Sequence, residues 1–175
     1  MVNYKLNYFD VRGLGEMTRL ILHYSGQQFE DHRISQEEWP TYKSNLAGKD
    51  DWESAQLDSI ADFQKDFANQ IGPYFRVAAG FAQGDKDKLY NEVYLPAAEK
   101  HFPVLEKLLK ESGSGFFGKS GLSWVDFYIA EAVTTHKGLV PEFLKKHPDI
   151  LAHVDRVHNL PQLKDYIKTR KQSPF

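Results

Sequence analysis

Val2, Tyr4, Leu6 and Tyr8 alternate with Asn3, Lys5 and Asn7 at the start of the chain. A period of two predicts a strand with one buried face. Asp10–Gly13 predicts a turn, after which Leu14, Met17, Leu20, Ile21 and Tyr24 recur at helical spacing, with Gly26 placed to end the helix. Phe29–Ile34 predicts a second strand. Strand, helix and strand within about 33 residues make a βαβ unit and imply a parallel strand pair. Ser35 and Glu38 have the spacing of a capping box, ahead of a short helix carrying Trp39 and Tyr42.

Beyond Leu46 the period changes. Leu57, Ile60, Phe67, Ile71 and Tyr74 predict a long helix over about residues 51–82, and Leu89, Val93, Phe102, Leu105 and Leu109 predict a second over about 85–111. Pro73 and Pro96 fall inside these patterns and predict kinks. Ser112–Gly115 reads as a loop, and a helix starts at Ser123, with Asp126 three residues on as a second capping box. Helices near 142–146, 150–159 and 162–170 complete the chain, flanked by Pro141, Pro148 and Pro161. The fold class is therefore α+β and mostly helical, with two domains: an α/β piece over 1–46 and an all-helical one over 47–175.

Composition narrows what such a chain does. None of its 175 residues is cysteine, which excludes a disulfide scaffold, a Cys-ligated metal site and a protein-borne thiol nucleophile. Twenty-two Lys and Arg against 24 Asp and Glu give a net charge of −2, which argues against a nucleic-acid surface. Residues 1–46 hold 5 basic and 6 acidic residues, so charge does not mark the boundary between the two pieces. No apolar run reaches the roughly 20 residues of a membrane helix, and Met1–Lys5 lacks the form of a signal peptide, so an intracellular protein without a membrane span is expected.

Three features could carry chemistry. Gly113-Ser114-Gly115-Phe116-Phe117-Gly118-Lys119-Ser120 satisfies the phosphate-loop pattern. A helix precedes it where a strand is needed, and Gly121 delays the next helix, so an interhelical loop with its two Phe residues docked on the core explains it better. Asp58, Asp62 and Asp66 form an acidic stripe at a spacing of four, either a solvated face or a receiver for a cation. Tyr8 stands at the carboxyl end of the first strand, where open α/β sheets hold ligands, and its phenol can stabilise a bound thiolate by hydrogen bonding. The seven histidines show no metal-ligand spacing; Asp149 and His153 are four apart, which reads as a solvated helix surface.

Tyr8-Phe9, Arg12-Gly13, Glu16 and Arg19 resemble the opening of the cytosolic glutathione transferases, most like the sigma class. The resemblance continues through Phe29-Glu30-Asp31-His32-Arg33, Trp39-Pro40 and Lys43, then Leu57–Asp62, Ser123–Phe127 and Leu160-Pro161. It implies a thioredoxin-like unit followed by an all-helical domain, with glutathione as co-substrate and no metal. By the same resemblance Tyr8 would hold the glutathione sulfur as thiolate, and Trp39 and Lys43 would hold the glycyl end of the tripeptide. Asp66 would reach across a homodimer to the other subunit's glutathione, and Ser123 and Asp126 would serve folding. The reaction implied is attack of glutathione thiolate on a small apolar electrophile, in the cytoplasm.

One departure is large. The family follows the Lys43 helix with two antiparallel strands and a helix, about 30 residues with their turns. Here Leu46 runs straight into Ala47-Gly48-Lys49-Asp50-Asp51. The missing segment is the part that grips the glutathione backbone and its γ-glutamyl carboxylate, so weak or absent glutathione affinity is expected. A non-catalytic binding or dimerisation module is the alternative, and a nucleotide-binding protein using Gly113–Ser120 is a lesser one.

Overall fold

The structure, a computed structural model, describes residues 4–10, 13–35, 37–38 and 46–170. The chain divides into two compact units, Met1–Asn45 and Leu46–Phe175.

In the first unit, β1 (Tyr4–Phe9) is followed by α1 (Gly13–Tyr24) and β2 (Phe29–Ile34). The strands pair in parallel, Tyr4 with Phe29 through to Phe9 with Ile34. This is the βαβ unit that the alternating pattern implies. The register brings Lys5 opposite Glu30, and the two form a 2.6 Å ion pair across the strands. Ser35 and Glu38 bond reciprocally: the Ser35 N–H donates to Glu38 Oε2 at 2.9 Å, and the Glu38 N–H donates to Ser35 Oγ at 3.1 Å. The helix expected at Trp39 and Tyr42 lies outside the described residues.

The second unit is all helical. Its elements are α2 (Asp51–Gln70), α3 (Gly72–Ala78), α4 (Lys86–Leu89), a π turn (Tyr90–Tyr94), α5 (Leu95–Ser112), α6 (Trp124–Leu139), α7 (Pro141–Leu144), α8 (Pro148–His158) and α9 (Lys164–Thr169). The first long pattern breaks at Ile71, and Pro73 opens α3 in its first turn, where a missing N–H costs nothing. The second pattern runs α4, π turn and α5 end to end, with Pro96 in the first turn of α5 and Pro103 in its interior. One apolar core joins Leu57, Phe67, Tyr94, Phe102, Leu105, Val125, Ile129 and Ile150 from α2, the π turn, α5, α6 and α8. Among the described residues no helix is long and apolar enough to cross a membrane.

Candidate functional site

Tyr8 sits near the end of β1, half-buried, opposite Arg33 in the strand register. The Arg19 guanidinium lies over its ring, 5.8 Å from the centroid. Arg19 is only 3% exposed, and its Nε donates to both Asp31 oxygens at 3.0 and 3.1 Å while a terminal nitrogen donates to Glu16 at 3.0 Å. Arg33 adds a 2.7 Å bond to Asp31 and a 3.3 Å bond to Asp10. Two arginines and three acids thus tie α1 to β2 and to the turn after β1. Burial works against the Arg19 charge, but the bonds from Asp31 and Glu16 outweigh it and raise its pKa further. Burial likewise opposes ionisation of Asp31, yet Arg19 and Arg33 outweigh it and hold the carboxyl below the usual carboxylate range. Glu16, Arg19, Asp31 and Arg33 all belong to motifs quoted above; their joint role is a charge network behind the tyrosine.

Trp39 and Lys43 lie outside the described residues. Asp66 belongs to the second unit, on α2, where Asp58, Asp62 and Asp66 are all exposed. That face is solvated within a single chain, as like charges at this spacing require.

The glycine-rich stretch is a structural loop. Buried Asp126, at the third position of α6, accepts the Ser123 N–H at 2.7 Å and the Ser123 hydroxyl at 2.8 Å through Oδ2. Its Oδ1 accepts the Phe117 N–H at 2.8 Å and faces His153 Nε2 at 2.8 Å. A second buried carboxylate, Glu53 at the start of α2, accepts the Ser120 N–H at 2.7 Å and the Lys49 N–H at 2.6 Å. Burial opposes the Glu53 charge, but these backbone donors outweigh it and hold its carboxyl below the usual range.

Several N–H groups of this stretch are already committed: Phe117 to Asp126, Ser120 to Glu53, Phe116 to Ser114 Oγ and, just past the pattern, Gly121 to the Gly118 carbonyl. Two carboxylates, Asp126 and Glu53, thus take up donors of this loop. This speaks against the nucleotide reading of Gly113–Ser120: a helix, not a strand, delivers the loop, the next helix begins only at Trp124, and two of its N–H groups are spent on buried carboxylates. Phe117 is 5% exposed and part of the core, as the interhelical-loop reading requires.

His153 needs correcting too. It is 0% exposed and bonded to Asp126, not part of a solvated surface with Asp149. Its position on the apolar stripe Ile150, Val154 and Val157 of α8 was the available signal.

In the helical unit, α2 and α5 border an open cavity of about 560 Å³ whose lining joins apolar Leu57, Ile60, Phe63 and Val104 with polar Gln56 and Glu111. No group of three or more His, Cys, Asp or Glu able to hold a metal occurs among the described residues.

Residues 65–170 match the family model for the glutathione S-transferase C-terminal domain. Glutathione S-transferase 1 of Ascaris suum is 38% identical over 206 aligned positions that cover 100% of both chains. The chain belongs to the glutathione S-transferase family.

Solved structures agree. The glutathione S-transferase from Ascaris lumbricoides is 38% identical, with a TM-score of 0.72 over 99% of this chain and 100% of that one. Na-GST-3, a glutathione S-transferase of the hookworm Necator americanus described as monomeric, is 40% identical, with a TM-score of 0.69 and the same coverage. The mostly helical fold with a short βαβ unit in front is that of a glutathione transferase-type protein, and glutathione is the family's co-substrate.

Proposed function

We propose that this chain is a sigma-like glutathione transferase in which Tyr8 donates its phenolic hydrogen to the glutathione sulfur, favouring thiolate over thiol. The observation that carries the reading is Tyr8 itself, half-buried near the carboxyl end of a strand in a chain matched end to end by glutathione transferases. The chemistry is nucleophilic displacement or addition. The sulfur forms a bond to an electrophilic carbon of a small apolar co-substrate, the thiol proton passes to water, and any leaving group departs with the bonding pair. Trp39 and Lys43 would hold the glycyl end of glutathione, the Lys43 ammonium meeting the terminal carboxylate. The cytoplasm, where glutathione is abundant, suits this chemistry.

The same reading divides the chain into a glutathione-binding domain over 1–46, incomplete, and an all-helical domain over 47–175. The alignment with the Ascaris suum relative uses 206 positions against 175 residues, an excess of 31, which supports a gap of the size expected between Leu46 and Ala47. Without that segment the sheet has two strands among the described residues, fewer than usually stand alone in water. Glutathione would be held at its sulfur and glycyl end alone, hence weakly.

A homodimer fits the face of α2. Its cavity with α5 and the acidic stripe Asp58, Asp62 and Asp66 are on neighbouring sides of one helix, and a second copy would cover the first and bring a glutathione amino group to Asp66. Conjugation kinetics with Tyr8→Phe test the catalytic part. Residual turnover should fall at least tenfold with little change in the Michaelis constant for glutathione; unchanged turnover would remove Tyr8 from the mechanism.

A non-catalytic module built on the helical unit is the second reading, favoured by a core that draws on that unit's own helices. Sedimentation equilibrium together with glutathione titration separates the two: a stable dimer that binds no glutathione supports the module.

A further inference from the structure

Four of the seven histidines are buried in the helical unit: His101 at 3% exposure, His136 at 5%, His147 at 8% and His153 at 0%. They fall into two kinds. His153 Nε2 faces Asp126 at 2.8 Å, its Nδ1 being buried without a hydrogen-bond partner, and His147 faces Glu106 of α5 at 3.0 Å, so each of these imidazoles stands beside a carboxylate. Among the described residues no carboxylate pairs with His101 or His136.

His101, on α5, places Nε2 2.8 Å from the Gln64 carboxamide oxygen of α2. It stacks on Phe67 at 4.1 Å and 6°, and on Phe63 at 4.5 Å and 25°. With Nε2–H donating to Gln64, Nδ1 keeps its lone pair; it is buried with no hydrogen-bond partner. His136, on α6, faces the Tyr94 hydroxyl of the π turn at 3.4 Å and packs against Phe67 and Phe102. The titratable groups facing this pair are each other, the Tyr94 phenol and, beyond Phe102, His147 with its own Glu106. Burial pushes the phenol pKa up, so it supplies no negative charge near neutral pH. A proton on His101 would therefore sit as an unpaired charge between α2 and α5, and one on His136 between α6 and the π turn.

We propose that His101 and His136 are an acid-sensitive latch on the α2–α5–α6 core: their protonation parts these helices and exposes the aromatic cluster around Phe67, while the two carboxylate-matched histidines hold the 113–121 loop and α8 in place.

Burial lowers the His101 pKa to about 3, with the nearby His136 adding to the effect, and burial lowers that of His136 to about 4, both from an ordinary 6.5. The unfolded or parted chain takes up these protons first. Stability is thus fully present above pH 6.5 and is lost as the pH falls through the interval down to 3–4. From pH 7.5 to pH 5 each residue lowers the folding equilibrium constant by about 30-fold.

The test is urea denaturation of the full chain at pH 7.5 and pH 5.0, followed by near-ultraviolet circular dichroism, with hydrogen exchange read by helix. The wild type should lose about a thousandfold in folding equilibrium constant over that interval, with exchange rising first in α2, α5 and α6 and α8 still protected. The Gln64→Leu/His101→Leu double variant, which removes the imidazole and its amide partner together, should lose about 30-fold less. Equal acid sensitivity of wild type and variant would overturn the proposal, as would stability unchanged between the two pH values. Should the variant not fold, proton NMR of the wild-type imidazoles decides: folded-state titration of His101 and His136 near pH 6.5 contradicts the latch, and absence of titration above pH 5 supports it.

Discussion

At the scale of single residues, Asp126 carries the largest polar load in the helical unit. Four donors converge on its two oxygens: the Phe117 and Ser123 N–H groups, the Ser123 hydroxyl and His153 Nε2. Substituting Asp126→Asn removes the charge and turns one acceptor oxygen into a donor facing donors. We expect a loss of about 3 kcal/mol in urea denaturation at pH 7, as for other broken buried pairs; a loss below about 1 kcal/mol would mean the network is dispensable. The sequence shows half of this site. The Ser123–Asp126 capping box is local, three residues apart, so spacing alone reveals it. The bond to His153 spans 27 residues and depends on how α6 and α8 pack, which no local pattern encodes. What the sequence does offer is a polar residue standing on an apolar stripe: His153 among Ile150, Val154 and Val157, Gln64 between Ile60 and Phe67, His101 beside Ala97, Ala98 and Leu105. Such residues are buried by their neighbours and must find partners there.

At the scale of elements, the loop from Gly113 to Gly121 is set by backbone demands. Gly113, Gly115 and Gly121 have φ of +74°, +85° and +120°, a region side-chain-bearing residues rarely adopt. Gly118 is different: a Cβ there would meet the Gly121 carbonyl oxygen at 2.6 Å, so Gly118→Ala must push the loop apart at its narrowest point. Thermal unfolding of Gly118→Ala should occur several degrees lower, with Phe117 fluorinated or otherwise labelled reporting a more exposed ring; an unchanged melting temperature would contradict the close contact. Glu53 clamps the other side of this loop to the start of α2 through the Ser120 N–H. Because its folded carboxyl titrates below the usual 4.5, its contribution is present above that value and disappears as the pH falls through the folded pKa. Glu53→Gln should therefore be less stable near neutrality and show a shallower loss of stability on acidification below pH 4.5 than the wild type. A variant with an unaltered acid limb in urea titrations would show that Glu53 does not ionise in this role. Element existence was legible throughout the helical unit from apolar periodicity. The break at Ile71 and the π turn were not, because the stripe runs on across both and only the backbone hydrogen bonding changes.

At the scale of the molecule, the chain is a glutathione transferase-type protein built of two compact units. The helical unit has a continuous core, and in the βαβ unit the charge network of Arg19, Asp31 and Arg33 joins α1 to β2 beside Tyr8. The family was legible because its motifs lie on both sides of Leu46. The gap proposed after Leu46 leaves no mark in the periodicity and rests on setting the chain beside its relatives. The reading proposed for this chain is a sulfur-binding Tyr8 without the segment that would grip the rest of glutathione. Isothermal titration of the full chain with glutathione tests it most directly. A saturable heat absent below several millimolar glutathione, together with passage of the protein through immobilised glutathione, is the result predicted; saturation at tens of micromolar with retention on that matrix would contradict it.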